Sequence, residues 1–303
     1  MDYFLNLVNT IGIHTLLGLS AYILLLTGQL SLAQAGFFAV GAYTAAVLTV
    51  ILGWAILPAI GLAMLITGLL AFLVGFPALR VRGLMLVVAT LAFGEFVRMF
   101  FYNFRWRVTQ DGVEVGPDGT MGFSEIRYFA EHGWTSWEVT SLIWIFVIMV
   151  MAIIWWADQT RSGAVLRAVG EDELAAGTVG INVTVVKVAA MTAGGVIAGL
   201  AGSLYAHQIT MLDHHAFTVL LATFAIAYPI LGGVSNVFGT LVAVIFIQGL
   251  LVEGLRFLGD WRMLLFGALI IVVMNVKPRG LFDSQTLRWI KNVLRLRLSR
   301  RLS

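Results

Sequence analysis

The sequence predicts an all-α, polytopic transmembrane helix bundle. Of its 303 residues, 60% are hydrophobic and only 12% are charged, whereas a soluble domain carries about 25% charged residues. So few charges cannot cover a water-facing surface of this size, which excludes a soluble enzyme and a nucleic-acid-binding protein. Helices are the expected elements because a segment inside the bilayer has to satisfy its own backbone hydrogen bonds.

Apolar segments long enough for a helix to cross the hydrocarbon core, which takes about 20 residues, recur along the chain. We expect spans at 9–27, 30–51, 54–76, 83–103, 139–157, 187–206, 216–232, 236–256 and 261–276. The run from 9 to 76 has no charge, so its division rests on Gly28-Gln29 and Gly53-Trp54; either boundary is alternatively a re-entrant or broken helix. About nine spans are predicted, and eight to ten stay open.

The spans are predicted to form a single transmembrane domain, 1–303, and charge predicts their orientation. The segment 277–303 holds eight Lys and Arg against one acid, and short cytoplasmic loops are enriched in basic residues. This places the basic tail 283–303 in the cytoplasm, either as a helix on the inner leaflet or as a frayed end. Counting back, the loop 158–186 lies inside, and the loop 104–138 and the N-terminus lie outside.

Two acid–base pairs fall within predicted spans, where a charge costs about 2.5–3.5 kcal/mol at the bilayer centre. Glu95 with Arg98 and Glu253 with Arg256 both have i,i+3 spacing, which places each pair on one helix face. Glu95 is the deeper acid. It is either half of a structural ion pair or part of a water-filled path.

A candidate translocation path combines Glu95 with the polar run Gln29, Ser31 and Gln34, which opens the second span. The polar run either satisfies backbone groups at a helix start or lines a pore. The small-residue pattern Gly195-x-x-x-Gly199 indicates close helix packing within the bundle rather than a dedicated dimer seam.

No catalytic, cofactor or metal site is predicted. The chain has no cysteine and no glycine-rich phosphate-binding loop ending in Gly-Lys-Ser/Thr. Asp213-His214-His215 is interpreted as a solvated outer loop, because adjacent side chains seldom point the same way and a metal needs more ligands than these.

The inner loop 158–186 is competent to form a short amphipathic helix that ends at Gly180 and Asn182. The loops 104–138 and 158–186 are the two long loops of a chain that is otherwise nearly all membrane-spanning, so we expect the inner loop to carry a function. The alternative is a plain solvated connector.

Several motifs resemble one transporter family. They are Gly28–Tyr43 (GQLSLAQAGFFAVGAY), Leu84–Arg98, Arg161–Asn182, Leu231–Gly239 and Lys277–Phe282. In this order they are similar to the permease subunits of branched-chain amino-acid ABC importers, specifically the LivM type. The resemblance runs from about residue 9 to 283. Three features depart from the family pattern. Gln34 stands where His is usual, and Leu174 stands where the importer loop has Glu. The outer loop reads GPDGTMGF from Gly116 where the family has Thr-Gly-Gly-x-Asp-Gly-Leu-x-Gly.

The resemblance implies one permease subunit of a bacterial inner-membrane importer. Its partners would be a second homologous permease, two cytoplasmic ATPase subunits, a periplasmic solute-binding protein and the membrane lipid. The inner loop would dock into the ATPase through Arg161, Gly163, Arg167, Glu171, Asp172, Glu173, Ala175, Ala176 and Gly180. ATP hydrolysis would then belong to the partners and not to this chain.

The expected solute is leucine, isoleucine, valine or a related small polar molecule, with urea or short amides as the alternative within the family. The main rival function is a proton-coupled secondary transporter with Glu95 as its proton site. An integral membrane enzyme would need an acid, a base and a nucleophile near one interface, and the sequence shows no such cluster beyond the His214/His215 loop.

Overall fold

The computed structural model describes residues 2–78, 81, 83–110, 113–254, 259 and 261–276, and structural statements refer to these residues. The helices are α1 (Asp2–Leu26), α2 (Gln34–Ala46), α3 (Ile56–Ala78), α4 (Leu84–Asn103), α5 (Tyr128–Glu131), α6 (Ser136–Gln159), α7 (Arg161–Glu171), α8 (Glu173–Thr178), α9 (Val183–Ile209), α10 (Val219–Gly232), α11 (Val237–Val244) and α12 (Trp261–Val276). The predicted basic tail 283–303 and the motif 277–282 lie outside the described part of the chain.

An apolar helix lies in each of the nine segments where the sequence predicts a span. Seven helices are long and apolar enough to cross a membrane, and two apolar helices, Val219–Gly232 and Leu264–Val276, are shorter. The all-α polytopic bundle is therefore confirmed, while the number of crossings stays a prediction.

The first three helices are separated where the sequence predicts. Gly28 and Gly53 adopt φ angles of 70° and 65°, a left-handed conformation that glycine reaches without the steric cost of a Cβ atom. The first helix begins at Asp2, before the predicted start at residue 9, because the helical backbone continues past the apolar stretch into the polar N-terminal turn.

Residues 1–226 form one compact unit, in which α1, α2 and α3 pack against α9. Here α2 and α9 touch through their backbones: a Cβ atom on Gly41 would lie 2.5 Å from the Cα atom of Gly199. A Cβ atom on Gly199 would in turn lie 2.0 Å from Oγ1 of Thr67 on α3. The predicted small-residue packing within the bundle is confirmed at this position.

The loops at the C-terminal end of α9 form a small ordered layer. The loop 104–138, expected only to be polar, contains an antiparallel hairpin of β1 (Val108–Gln110) and β2 (Val113–Val115), followed by α5. Phe123 and Leu212 exchange backbone hydrogen bonds of 2.8 Å, which join this loop to the α9–α10 connection. The loop 158–186, which contains α7 and α8, lies at the opposite end of α9, in agreement with the predicted alternation of the two loops.

Residues 227–303 form a second compact unit. Its described part contains α11, which continues as a π-helix over Ile245–Gly254, and α12. Gln248 Nε2 donates a 2.7 Å hydrogen bond to the Tyr228 hydroxyl. The single permease domain 1–303 stays a prediction.

Candidate functional site

The connection between α1 and α2, residues 27–33, is non-helical yet largely buried, with Gln29 2% and Ser31 3% exposed. Buried backbone groups need partners, and this segment obtains them from both sides. The Gln29 N–H donates to the Leu24 carbonyl at 3.0 Å. The Leu32 N–H donates to Thr90 Oγ1 on α4, also at 3.0 Å. The second span therefore starts with a broken segment embedded in the bundle, one of the two alternatives the sequence left open.

The predicted path residues Gln29 and Gln34 turn towards α1 and α9. Gln29 Nε2 donates to Thr27 Oγ1 at 2.7 Å and to the Lys187 carbonyl at 3.2 Å. Gln34 is fully buried, and its Oε1 accepts a 3.2 Å hydrogen bond from Ser20 Oγ. These contacts provide hydrogen-bond partners for the amide nitrogen of Gln29 and for the amide oxygen of Gln34. The opposite ends, Gln29 Oε1 and Gln34 Nε2, have no hydrogen-bond partner among the described residues.

The predicted pair of Glu95 and Arg98 is present on α4, with Arg98 Nε 2.8 Å from Glu95 Oε2. Glu95 faces a narrow cleft whose walls include Leu32, Phe217 and Val219. The walls of this cleft include none of Gln29, Ser31 and Gln34. For the second pair, Arg256 lies outside the described residues.

The cytoplasmic loop of the prediction forms two helices, α7 and α8, where one short helix was expected. The division falls at Asp172, whose Oδ1 accepts from the backbone N–H groups of Leu174 and Ala175 at 2.8 and 3.1 Å. Asp, Asn and Ser favour such N-cap positions over helix interiors, so a new helix begins after Asp172. The predicted stop is confirmed: Gly180 has a φ of 87°, and Asn182 caps α9.

Three predicted docking residues are engaged inside the subunit. Arg167 forms an ion pair with Asp158 at the end of α6, and Glu173 forms one with Lys187 on α9. Gly163 sits in the corner between α6 and α7, where an added Cβ would be 2.6 Å from the Asp158 Cα atom. These contacts fix the orientation of α7 and α8 relative to the long helices.

Two exposed apolar side chains that the sequence analysis did not select lie on α8 and at its C-cap. Leu174 is 78% and Val179 is 75% exposed. Glu171, Asp172 and Ala175 are exposed beside them, whereas Ala176 is buried. The sequence does contain a signal for these exposed side chains. Two aliphatic residues stand in a short polar segment at a spacing that does not place both on the buried face of one helix.

The coupling segment, defined as α7 and α8, touches the broken segment directly. A Cβ atom on Gly170 would lie 2.3 Å from the Leu26 carbonyl oxygen and 3.1 Å from the Gly28 nitrogen. The backbone of α7 therefore packs against the turn at which α1 ends.

At the opposite end of α9, Asp213, His214 and His215 present ligand atoms within 4.8 Å of one another. The argument that adjacent histidines point apart is wrong here, since the two rings are 4.0 Å between centroids in a 3₁₀ turn. A carboxylate and two imidazoles form a donor set that a zinc ion accepts. Asp213 Oδ1, however, already lies 2.9 Å from His214 Nδ1 and accepts from the His215 N–H. Burial, together with the neighbouring His215, lowers the pKa of His214.

A bundle of membrane-length helices with an embedded broken segment and a helical coupling segment at one end defines a membrane permease. Residues 3–274 match the family of the permease component of the branched-chain amino acid transport system, and the chain belongs to this family. The resemblance noted from the sequence motifs is thereby confirmed.

Named relatives agree with this assignment. The chain is 32% identical to the high-affinity branched-chain amino acid permease LivM of Salmonella typhimurium and to that of Escherichia coli, over 89% of this chain and 67% of each relative. It is 27% identical to the autoinducer 2 import permease LsrC of Klebsiella pneumoniae, over 54% of this chain and 43% of the relative. No solved structure matches.

Proposed function

We propose that this chain is one of two permease subunits of an ATP-driven importer in a bacterial inner membrane. Its partners would be a second, homologous permease, two cytoplasmic ATPase subunits and a periplasmic solute-binding protein. The absence of a phosphate-binding loop from the sequence supports an external energy source. The excess of Lys and Arg in 277–303 supports a cytoplasmic C-terminus. By the predicted alternation of the spans, the coupling segment would lie on the same side.

The observation that carries the proposal is the contact of Gly170 with Leu26 and Gly28. A rigid element that packs backbone to backbone against another cannot shift without moving it, because packed interiors have low compressibility. A push on α7 by an ATPase would reach the end of α1 and the start of the broken segment. This is a direct route from nucleotide-driven closure to alternating access.

The docking face of this coupling segment would consist of Leu174, Val179, Glu171, Asp172 and Ala175. Exposed apolar side chains rimmed by acidic groups suit a groove on a soluble partner. Four of the six remaining residues that the sequence selected would position this face: Arg167 and Glu173 through ion pairs, Gly163 and Gly180 through the turns at either end. Arg161 and Ala176 keep their predicted part in docking.

The proposed solutes are leucine, isoleucine and valine, supported by the identity to LivM. The alternative of another small polar solute, such as urea or a short amide, stays within the family. The candidate path keeps Gln29, Ser31, Gln34 and Glu95. Its support is that Gln29 Oε1 and Gln34 Nε2 are buried with an unused hydrogen-bonding capacity among the described residues, which water or a solute can meet.

The test is reconstitution in vesicles. The chain is assembled with its ATPase, second permease and binding protein, and uptake of radiolabelled leucine and of urea is measured with and without ATP. ATP-dependent uptake of either solute is expected, along with co-purification of the ATPase chains. Concentration of a solute by the isolated chain without nucleotide would contradict the proposal and favour the proton-coupled carrier.

A further inference from the structure

We propose that an anionic phospholipid binds in a groove between α6, α7 and α9, with its phosphate at the first turn of α7. The groove has a volume of about 730 Å³, within the ~300–1,000 Å³ usual for ligand pockets. Its walls are almost entirely aliphatic, and the exceptions, Asp158, Arg161 and Ser162, lie together at the α7 end. The groove therefore has the polarity of one lipid molecule.

The dimensions of the groove favour an acyl chain. Along α9 it runs from Val185 to Ile197, about 18 Å at the helical rise of 1.5 Å per residue. One leaflet of the hydrocarbon core is about 15 Å deep. The length of the groove therefore matches one acyl chain within one leaflet.

The groove also opens along its side to the surface of the bundle. Met149 and Ile153 on α6 are 41% and 56% exposed, and Val185 on α9 is 61% exposed. These three side chains form the lateral margin of the opening. A lipid chain can enter between them without displacing a helix.

The headgroup end carries a positive charge that has no counterion among the described residues. The Asp158 carboxylate is paired with Arg167, whereas no described acid pairs with Arg161. The Thr160 side chain donates to the Ala157 carbonyl at 2.7 Å and does not cap α7. The first N–H groups of α7 are consequently available, and a helix N-terminus favours a phosphate group. Arg161 supplies the second, charged contact.

The test uses the full-length chain in detergent with dioleoylphosphatidylglycerol and dioleoylphosphatidylcholine as probes, followed by native mass spectrometry. Phosphatidylglycerol is expected to bind at one saturable site, and phosphatidylcholine more weakly. Arg161→Ser should weaken phosphatidylglycerol binding about tenfold, the loss of one hydrogen bond to a charged group. Ala193→Trp, which fills the groove, should abolish the site for both lipids.

Two matched controls separate this site from general lipid contact. Val88→Trp adds the same ring to an exposed position of α4, and Arg127→Ser removes an arginine that pairs with Glu125 in the opposite loop. Both controls should bind phosphatidylglycerol like the unaltered chain. Equal binding of the two lipids, or unchanged binding in both Arg161→Ser and Ala193→Trp, would overturn the proposal. Because the readout is lipid binding, it is independent of whether the chain transports an amino acid.

Discussion

The backbones of Gly170 and Leu26 approach so closely that the space for a Cβ atom on Gly170 is already occupied by the Leu26 carbonyl oxygen, 2.3 Å away. Any larger residue at 170 has to push α7 away from the end of α1. We propose that the motion of α7 reaches α1 through this contact. A substitution that disrupts the contact therefore tests the proposal.

Gly170→Val is expected to lower ATP-driven uptake by at least tenfold while ATPase activity in the assembled complex persists. The branched side chain separates α7 from α1, so hydrolysis is no longer transmitted. Uptake and phosphate release are measured on the same vesicles. Gly61→Val is the control, since a Cβ atom at Gly61 meets nothing within 4 Å. Equal loss of uptake in both variants would mean that the contact is not specific.

The ion pair of Glu173 with Lys187 provides the second prediction. Glu173→Arg places two positive charges together and should abolish uptake and coupled ATPase activity, although the subunit still inserts in the membrane. The exchange of both residues, Glu173→Lys with Lys187→Glu, restores opposite charges and should recover most of the uptake. Failure of the double variant, with the ATPase still bound, would show that Glu173 contacts the partner instead of positioning α8.

Gly180→Trp is expected to have the same effect on uptake as Glu173→Arg by a different cause. The φ angle of 87° at Gly180 is unfavourable for a residue with a Cβ atom, by roughly 1–2 kcal/mol, so the turn between α8 and α9 should rearrange. Membrane insertion, measured by fractionation, should be unchanged. Normal uptake in both Gly180→Trp and Glu173→Arg would refute the docking role of this segment.

The exposed apolar pair on the coupling segment provides the fourth prediction. Leu174→Asp combined with Val179→Asp should reduce the amount of ATPase that co-purifies, because a charged group cannot enter an apolar groove without losing its hydration. Met121→Asp is the control, as Met121 is 72% exposed in the opposite loop and should leave co-purification unchanged. Full retention of the ATPase by the double variant would exclude this face as the docking surface.

Glu95 separates the importer from its main rival. Glu95→Gln should retain ATP-driven uptake, since the amide keeps the shape of the side chain and can still accept from Arg98. Arg98→Met should cost about 1–3 kcal/mol of stability by leaving a partly buried carboxylate without its donor, measured as a lower melting temperature. A proton-coupled carrier would instead lose uptake in Glu95→Gln.

The length of the apolar runs and the placement of glycines predict the positions of the nine apolar helices well, because a membrane segment depends on composition more than on distant contacts. The small-residue pattern Gly195-x-x-x-Gly199 predicts close packing at Gly199, whereas its partner Gly41 is known only from the structure. The pairing of Glu173 with Lys187 could not be predicted, since the two residues become neighbours only when α8 folds back on α9.

Gln29 and Gln34 were selected as candidate path residues, a role that stays a prediction, and both side chains are buried. The direction in which these side chains point depends on hydrogen bonds with Ser20 and with the Lys187 carbonyl. The local sequence does not reveal these partners.

The π-helical turn at Val47–Ile51 brings Thr49 Oγ1 to 3.0 Å from His207 Nε2. A π-helical turn contains one residue more than the α-helical turn it replaces. A homologue that lacks this extra residue would run straight through the same stretch, so single-residue gaps in alignments should fall between 47 and 51. Such homologues would also be expected to have changed the residue at the position of His207.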